Sequence, residues 1–178
     1  MNRRNTLFST AVTLSVGLSG CSLLTTGPSG DGPTLPEGLS VETAYWDGCV
    51  LKNTPVCDTE DPQNAYNAML SNRETARNRL VEDATAGEFV EATDFAESYL
   101  LLVQYRMQSA RRLRLQAVEQ TDTGLRVVVV TESQDGSYAD DSVPHTLAIR
   151  VTDERSDTPQ EISVSVDGDR TGTIERSA

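Results

Sequence analysis

Cysteine, histidine and arginine carry most of the chemistry this sequence offers. The single histidine, His145, follows Pro144 at the start of an alternating segment. A hydrolytic triad would need a nucleophile and an acid arranged around it. No serine stands in a strained Gly-x-Ser-x-Gly turn. His145 is therefore expected as an edge or core side chain, and no catalytic residue is nominated. Asp167-x-Asp169-x-Thr171-Gly172 copies the first half of a calcium loop, but position twelve is Ala178 where the bidentate glutamate belongs. A hairpin turn is expected there instead. Glu132 to Gly136 with Asp140-Asp141 reads as a solvated acidic loop. No metal site and no cofactor are expected. Cys49 and Cys57, seven residues apart with Pro55 between them, form an even pair with no histidine nearby. A disulfide is the expectation, since zinc wants four ligands. Closing so small a loop contributes roughly 2–3 kcal/mol on the chain-entropy view.

Positive charge is the most unusual local feature. The chain carries 27 acids against 15 basic residues, a net charge of −12, and its only lysine is Lys52. Yet Arg106, Arg111, Arg112, Arg114, Arg126 and Arg150 lie on consecutive expected strands. Arg112, Arg114, Arg126 and Arg150 are the candidate docking residues for an acidic extracellular protein partner, because guanidinium forks suit carboxylates. The competing expectation is a cross-strand ion-pair lattice with Glu119 and Glu132. Nucleic acid is excluded as a partner by the acidic field, since phosphate binding rests on clustered cations. An acid-rich, lysine-poor surface is expected of proteins from salt-saturated habitats, where salt screens carboxylate repulsion.

The first twenty residues set an address. Met1 to Thr6 is positive, and no acid occurs before Asp31. Leu7 to Leu18 is apolar but diluted by serine, threonine and glycine. That is the layout of an export signal peptide over residues 1–20, too short to span a ~30 Å hydrocarbon core. Leu18-Ser19-Gly20-Cys21 resembles the lipobox of bacterial and archaeal lipoproteins. The resemblance implies cleavage before Cys21, a lipid on its thiol, and attachment to the outer face of the cell membrane. Arg3-Arg4 resembles the twin-arginine pair, which implies export in the folded state. Losing the two arginines takes the mature chain from −12 to −14.

Residues 21–40, rich in Gly, Pro, Ser and Thr, read as a flexible tether. A single α+β domain is expected over 41–178. Ala65 to Leu70 is either a short strand or the lead into a helix. Ser71-Asn72-Arg73-Glu74 reads as a capping box for a helix running to about Asp83 and ended before Gly87. Over residues 97–176 the period becomes two. Leu101-Val103-Tyr105-Met107, Leu113-Leu115-Ala117, Leu125-Val127-Val129, Leu147-Ile149-Val151 and Ile162-Val164-Val166 each line one face. Thr121 to Gly124 turns the chain, and Asp167-Gly168 is a hairpin signal returning Thr171–Glu175 as an edge strand. One or two helices with five or six mostly antiparallel strands make a small sandwich-like α+β domain.

Asp94-Phe95, followed by an apolar strand, a turn and alternating strands, resembles the PrcB-like C-terminal domain over roughly residues 66–166. That resemblance implies a non-enzymatic binding or stability role in an exported protein. The lipobox and acidic surface are also similar to the uncharacterised acidic lipoproteins of halophilic archaea. The expected function is a membrane-anchored, non-enzymatic protein-binding or envelope-assembly module. The alternative is an extracellular hydrolase using carboxylates, which a bound metal or a deep pocket gathering two or more acids beside His145 would favour.

Overall fold

The computed structural model describes residues 32–81, 86–134, 141–154 and 159–175. The expected signal peptide, Arg3-Arg4, Cys21, the first part of the tether, residues 135–140 of the acidic loop and Ala178 lie outside the described residues.

Eight strands form two four-stranded sheets: β1 (Leu39–Asp47), β2 (Ala65–Leu70), β3 (Ser98–Gln108), β4 (Arg111–Gln120), β5 (Gly124–Ser133), β6 (Ser142–Asp153), β7 (Glu161–Val166) and β8 (Asp169–Glu175). The first sheet runs β1-β6-β3-β2 and the second β4-β5-β7-β8. Every pairing is antiparallel except β5 with β7. The domain is thus a mostly antiparallel α+β sandwich, with more strands than the five or six the alternation exposes.

Period-two patterning explains the core. Leu101, Val103, Leu147, Ile149 and Val151 of the first sheet meet Leu113, Leu115, Leu125, Val127, Val129, Ile162, Val164 and Val166 of the second. Each side chain removed from water contributes about 1.5–3 kcal/mol, and facing pleats bring these rows into contact. The opposite face of the first sheet is also buried. Leu70, Leu100, Leu102 and Ala148 pack under Val50, Leu51, Ala76, Leu80, Ala86 and Val90. Those last residues come from the segment before β2, from two short helices, α1 (Arg73–Arg79) and α2 (Ala86–Glu91), and, for Leu80, from just past α1. The molecule is therefore a helix layer on one sheet, with the second sheet behind it. Among the described residues nothing roofs the outer face of the second sheet.

Several expectations are corrected here. The first strand starts at Leu39, inside the expected tether, because Val41 and Tyr45 supply an inward face and β6 offers a free edge. Thr34 already engages the fold: its amide donates to the Gln116 carbonyl at 3.0 Å and its carbonyl accepts from Val118 at 2.8 Å. This contact sits at a bulge between Leu115 and Ala117 and covers part of the β4 edge. The helix cap is Asn72, one residue after the expected Ser71, and its side chain accepts from the Thr75 amide at 2.8 Å. Replacing Asn72 with alanine should lower stability by about 1 kcal/mol. A change below ~0.2 kcal/mol in denaturant titration would show that tertiary packing alone holds this turn. The helix stops at Arg79 instead of Asp83. Leu80 and Val81 leave it to pair with Leu51 and Val50, a tertiary strand contact that overrides helical periodicity. Gly87, expected beyond the helix, lies inside α2.

Cys49 and Cys57 are joined, with Cα atoms 6.1 Å apart. The loop they close places Val56, wholly buried, beside β2 and β3 of the first sheet. Arg106 fixes it by donating to the Val56 carbonyl at 3.0 Å. Asp167 (φ 51°) and Gly168 (φ 90°) form the expected hairpin, both in the left-handed region such a two-residue turn demands.

Candidate docking face on the second sheet

Parity decides where each arginine goes. On β4, Arg111, Leu113 and Leu115 point inward, so Arg112 and Arg114 point out; on β5 the outward set includes Arg126, Val128, Val130 and Glu132. Register then places Arg112 opposite Glu132 and Glu119 opposite Arg126. Both outward arginines of β4 reach the same carboxylate: Arg112 donates to Glu132 at 3.2 Å, and Arg114 donates to its other oxygen. Arg126 sits 3.6 Å from Glu119. The ion-pair lattice expected with Glu119 and Glu132 is present. Burial by itself would raise the Glu132 carboxyl, but the bonds and charges of Arg114 and Arg112 outweigh it and hold the group below the usual carboxylate range.

The other arginines do not share this face. Arg150, expected beside them, is on β6 of the first sheet and points the other way, into the helix layer. Its guanidinium donates to Thr93 Oγ1 at 3.0 Å, to the Phe89 carbonyl at 2.8 Å and to Glu42, and it lies 4.4 Å from the Phe89 ring centroid. Arg150 is a fastener for α2, since β6 belongs to a different sheet from β4 and β5. Arg106 also lies on the first sheet, bound to the Val56 and Ser142 carbonyls. Arg111 points inward and donates to the Thr131 carbonyl at 3.3 Å. The docking candidates that stand together are Arg112, Arg114 and Arg126. The face also presents Arg170, which sequence reasoning passed over because it lies in the hairpin that was read only as a turn. Arg170 is 3.5 Å from Glu161 and donates to Thr173.

His145 is completely buried between the sheets, on a central strand rather than an edge. Its Nδ1 is 2.5 Å from the Tyr45 hydroxyl, which is also 2.5 Å from Asp47 Oδ1. One hydroxyl has one proton. Donation from Tyr45 to Asp47 therefore requires the His145 Nδ1–H to donate to Tyr45. Burial, then the bond and charge of Asp47, push the Tyr45 hydroxyl far above its ordinary range, so it stays protonated. A hydrolytic imidazole must meet substrate; here the ring is enclosed, and among the described residues Asp47 is the carboxylate it meets. Among the described residues, no group of three or more His, Cys, Asp or Glu is placed to hold a metal ion.

Asp167, the first residue of the calcium-like pattern, is spent on the fold. Its carboxylate accepts from the Thr131 amide at 2.8 Å and the Thr131 hydroxyl at 2.6 Å. Burial works to raise its pKa, but those bonds and the Arg111 charge prevail and hold it low. A carboxyl depressed in the folded state stabilises above its unfolded value of about 4, and that contribution disappears as pH falls through the lowered value. Asp167→Asn tolerates the left-handed turn. Its deficit in thermal midpoint against wild type should be present at pH 6–7 and shrink below about pH 4. A pH-independent deficit would mean that the charge contributes nothing.

Comparison with family models, with curated proteins and with solved structures yields no match to this chain.

Proposed function

We propose that the chain is an exported lipoprotein, held at the outer face of the cell membrane by a lipid on Cys21, whose domain is a non-enzymatic module that docks an acidic protein on the outer face of its second sheet. The observation that carries this reading is the asymmetry of the two sheets. The first has its outer face roofed by α1, α2 and the disulfide loop. The second leaves Arg112, Arg114, Arg126 and Arg170 on a face that nothing covers among the described residues, in a chain of net charge −12. The four arginines are paired there with three carboxylates, Glu132, Glu119 and Glu161, so positive charge is concentrated on this face against the global field, and arginine is the basic residue that interfaces retain. The Leu18-to-Cys21 pattern supports the anchor, the lysine-poor composition supports a salt-rich habitat, and the PrcB-like resemblance points toward binding rather than turnover.

Arg112→Ser with Arg114→Ser tests the docking reading. Both side chains are at least a third exposed and share one glutamate. Each exposed pair contributes about 0.2–1 kcal/mol, so the double variant should remain folded with a thermal midpoint only a few degrees lower. Cross-linking in native membranes should capture a defined acidic partner with the wild type, and several-fold less with the variant. Equal capture, or a stability loss of several kcal/mol, would show that the lattice serves the fold alone. Separately, Cys21→Ser should release the protein from the membrane or leave it uncleaved. Unchanged retention with an unmodified N-terminal peptide would remove the anchor from this reading.

A further inference from the structure

The outer face of the second sheet is not flat. Arg126, Arg170, Glu161, Ser163, Ser165 and Thr123 are among the residues lining a concavity of about 320 Å³ beside the β7–β8 hairpin. Three observations distinguish it from the ion-pair lattice next to it. First, neither of its two guanidinium groups closes fully on its carboxylate, although Arg170 also donates to Thr173. Arg126 stands 3.6 Å from Glu119 and Arg170 3.5 Å from Glu161, whereas a charge-assisted bond closes to about 2.7–2.9 Å. Second, Ser165 is 4 % exposed although its strand face looks outward, and its Oγ has no hydrogen-bond partner among the described residues. Native proteins rarely leave a buried hydroxyl unpaired, so each such group calls for an account. Third, Ser163 makes a long bond, 3.5 Å, to the Leu125 carbonyl. The register puts Ser165 between Val128 and Arg170, and Ser163 beside Arg126, so both hydroxyls sit between the strands that carry the two cations.

Donors therefore converge here in excess of acceptors. Glu161 is the one carboxylate in the lining, so the two guanidinium groups outnumber it and disfavour a cation, and a neutral apolar ligand would leave the hydroxyls unpaired. A group that accepts several hydrogen bonds and carries negative charge satisfies all of them.

We propose that this concavity binds a single oxyanion, a carboxylate or a sulfate-like group, clasped between Arg126 and Arg170 with the Ser165 hydroxyl donating from its floor. The site rests on the docking reading only for the source of the oxyanion. On that reading it is the anchor for an acidic side chain of the partner; the alternative source is a free small anion.

Titration of the full mature chain with glutarate and, separately, with sulfate tests this, at fixed potassium chloride so that screening is constant. Amide shifts in ¹⁵N correlation spectra should saturate and be confined to Arg126, Ser163, Ser165, Gly168 and Arg170. Ser165→Ala removes one oxygen without adding bulk, and should weaken the bound anion about ten-fold with the spectrum otherwise preserved. Arg126→Gln with Arg170→Gln should abolish saturation. Tighter glutarate than sulfate assigns the site to carboxylates, and the reverse assigns it to sulfate or phosphate groups; both outcomes support the site. Shifts that grow linearly and spread over all arginines, or that are unchanged in Ser165→Ala, overturn it. Intact glutarate binding with no captured partner would sink the docking reading while leaving the site. Partner capture without glutarate or sulfate binding would do the opposite.

Discussion

Arg150→Leu should destabilise the domain by roughly 3 kcal/mol, near the low end for removing one member of a buried ion pair. The arginine side chain is 15 % exposed and Glu42, its carboxylate, 39 %. The glutamate keeps some access to water when its partner leaves, which is why the low end applies. Thr93 Oγ and the Phe89 carbonyl would lose a charged donor at the same time. Because Thr93 is wholly buried and its hydroxyl in turn donates to Phe89, the loss falls on the α2 C-terminus and not on the sandwich core. A domain of this size loses about 4 °C of thermal midpoint per kcal/mol, so a fall of ~10 °C is expected. Amide exchange should accelerate first in α2. A fall under ~2 °C would show that the apolar contacts of Val90 and Phe89 hold the helix layer without the arginine.

Gly124→Ala and Gly87→Ala should move stability in opposite directions. A Cβ on Gly124 would lie 1.9 Å from the Glu161 carbonyl oxygen, which is backbone of the neighbouring parallel strand and cannot swing aside. β5 and β7 must part where their pairing begins, at a cost of about 1–3 kcal/mol, the range for forced overpacking. Around Gly87 nothing lies within 4 Å and the residue is helical. Alanine there restricts the unfolded chain and suits the helix, and should add about 0.4–1 kcal/mol. Denaturant midpoints of the two variants measured side by side check both signs. Equal effects would mean that the close approach of β5 to β7 at Gly124 relaxes freely.

Those two glycines also show where reading the chain stops. Gly124 was legible as the end of a turn, because Thr121 to Gly124 separates two alternating runs. That it is needed for close approach depends on the one parallel pairing, which no local pattern announces. Gly87 looked like a terminator. It lies in a helix because α2 packs Ala86 and Val90 onto the first sheet, and burial outweighs the weak preference of one residue.

What the amino-acid order determined by itself was the set of strands and their faces. A side chain on a pleated strand alternates faces whatever the strand pairs with, so Leu113-Leu115, Val127-Val129, Leu147-Ile149 and Ile162-Val164 announced a two-faced β domain, and Asp167-Gly168 announced its hairpin. The Cys49–Cys57 pair was legible because proximity in sequence bounds proximity in space. Tertiary structure alone decided which strands share a sheet, and the candidate site follows from that. Arg112, Arg114, Arg126 and Arg150 all alternate outward from apolar neighbours, yet outward means the uncovered face for β4 and β5 and the helix layer for β6. Ser165 alternates with Ile162, Val164 and Val166, so its strand pattern turns it outward. It is buried because β5 and β8 flank its strand; the hairpin to β8 is local, but the pairing with β5 joins residues more than thirty positions apart, which alternation within one strand does not encode.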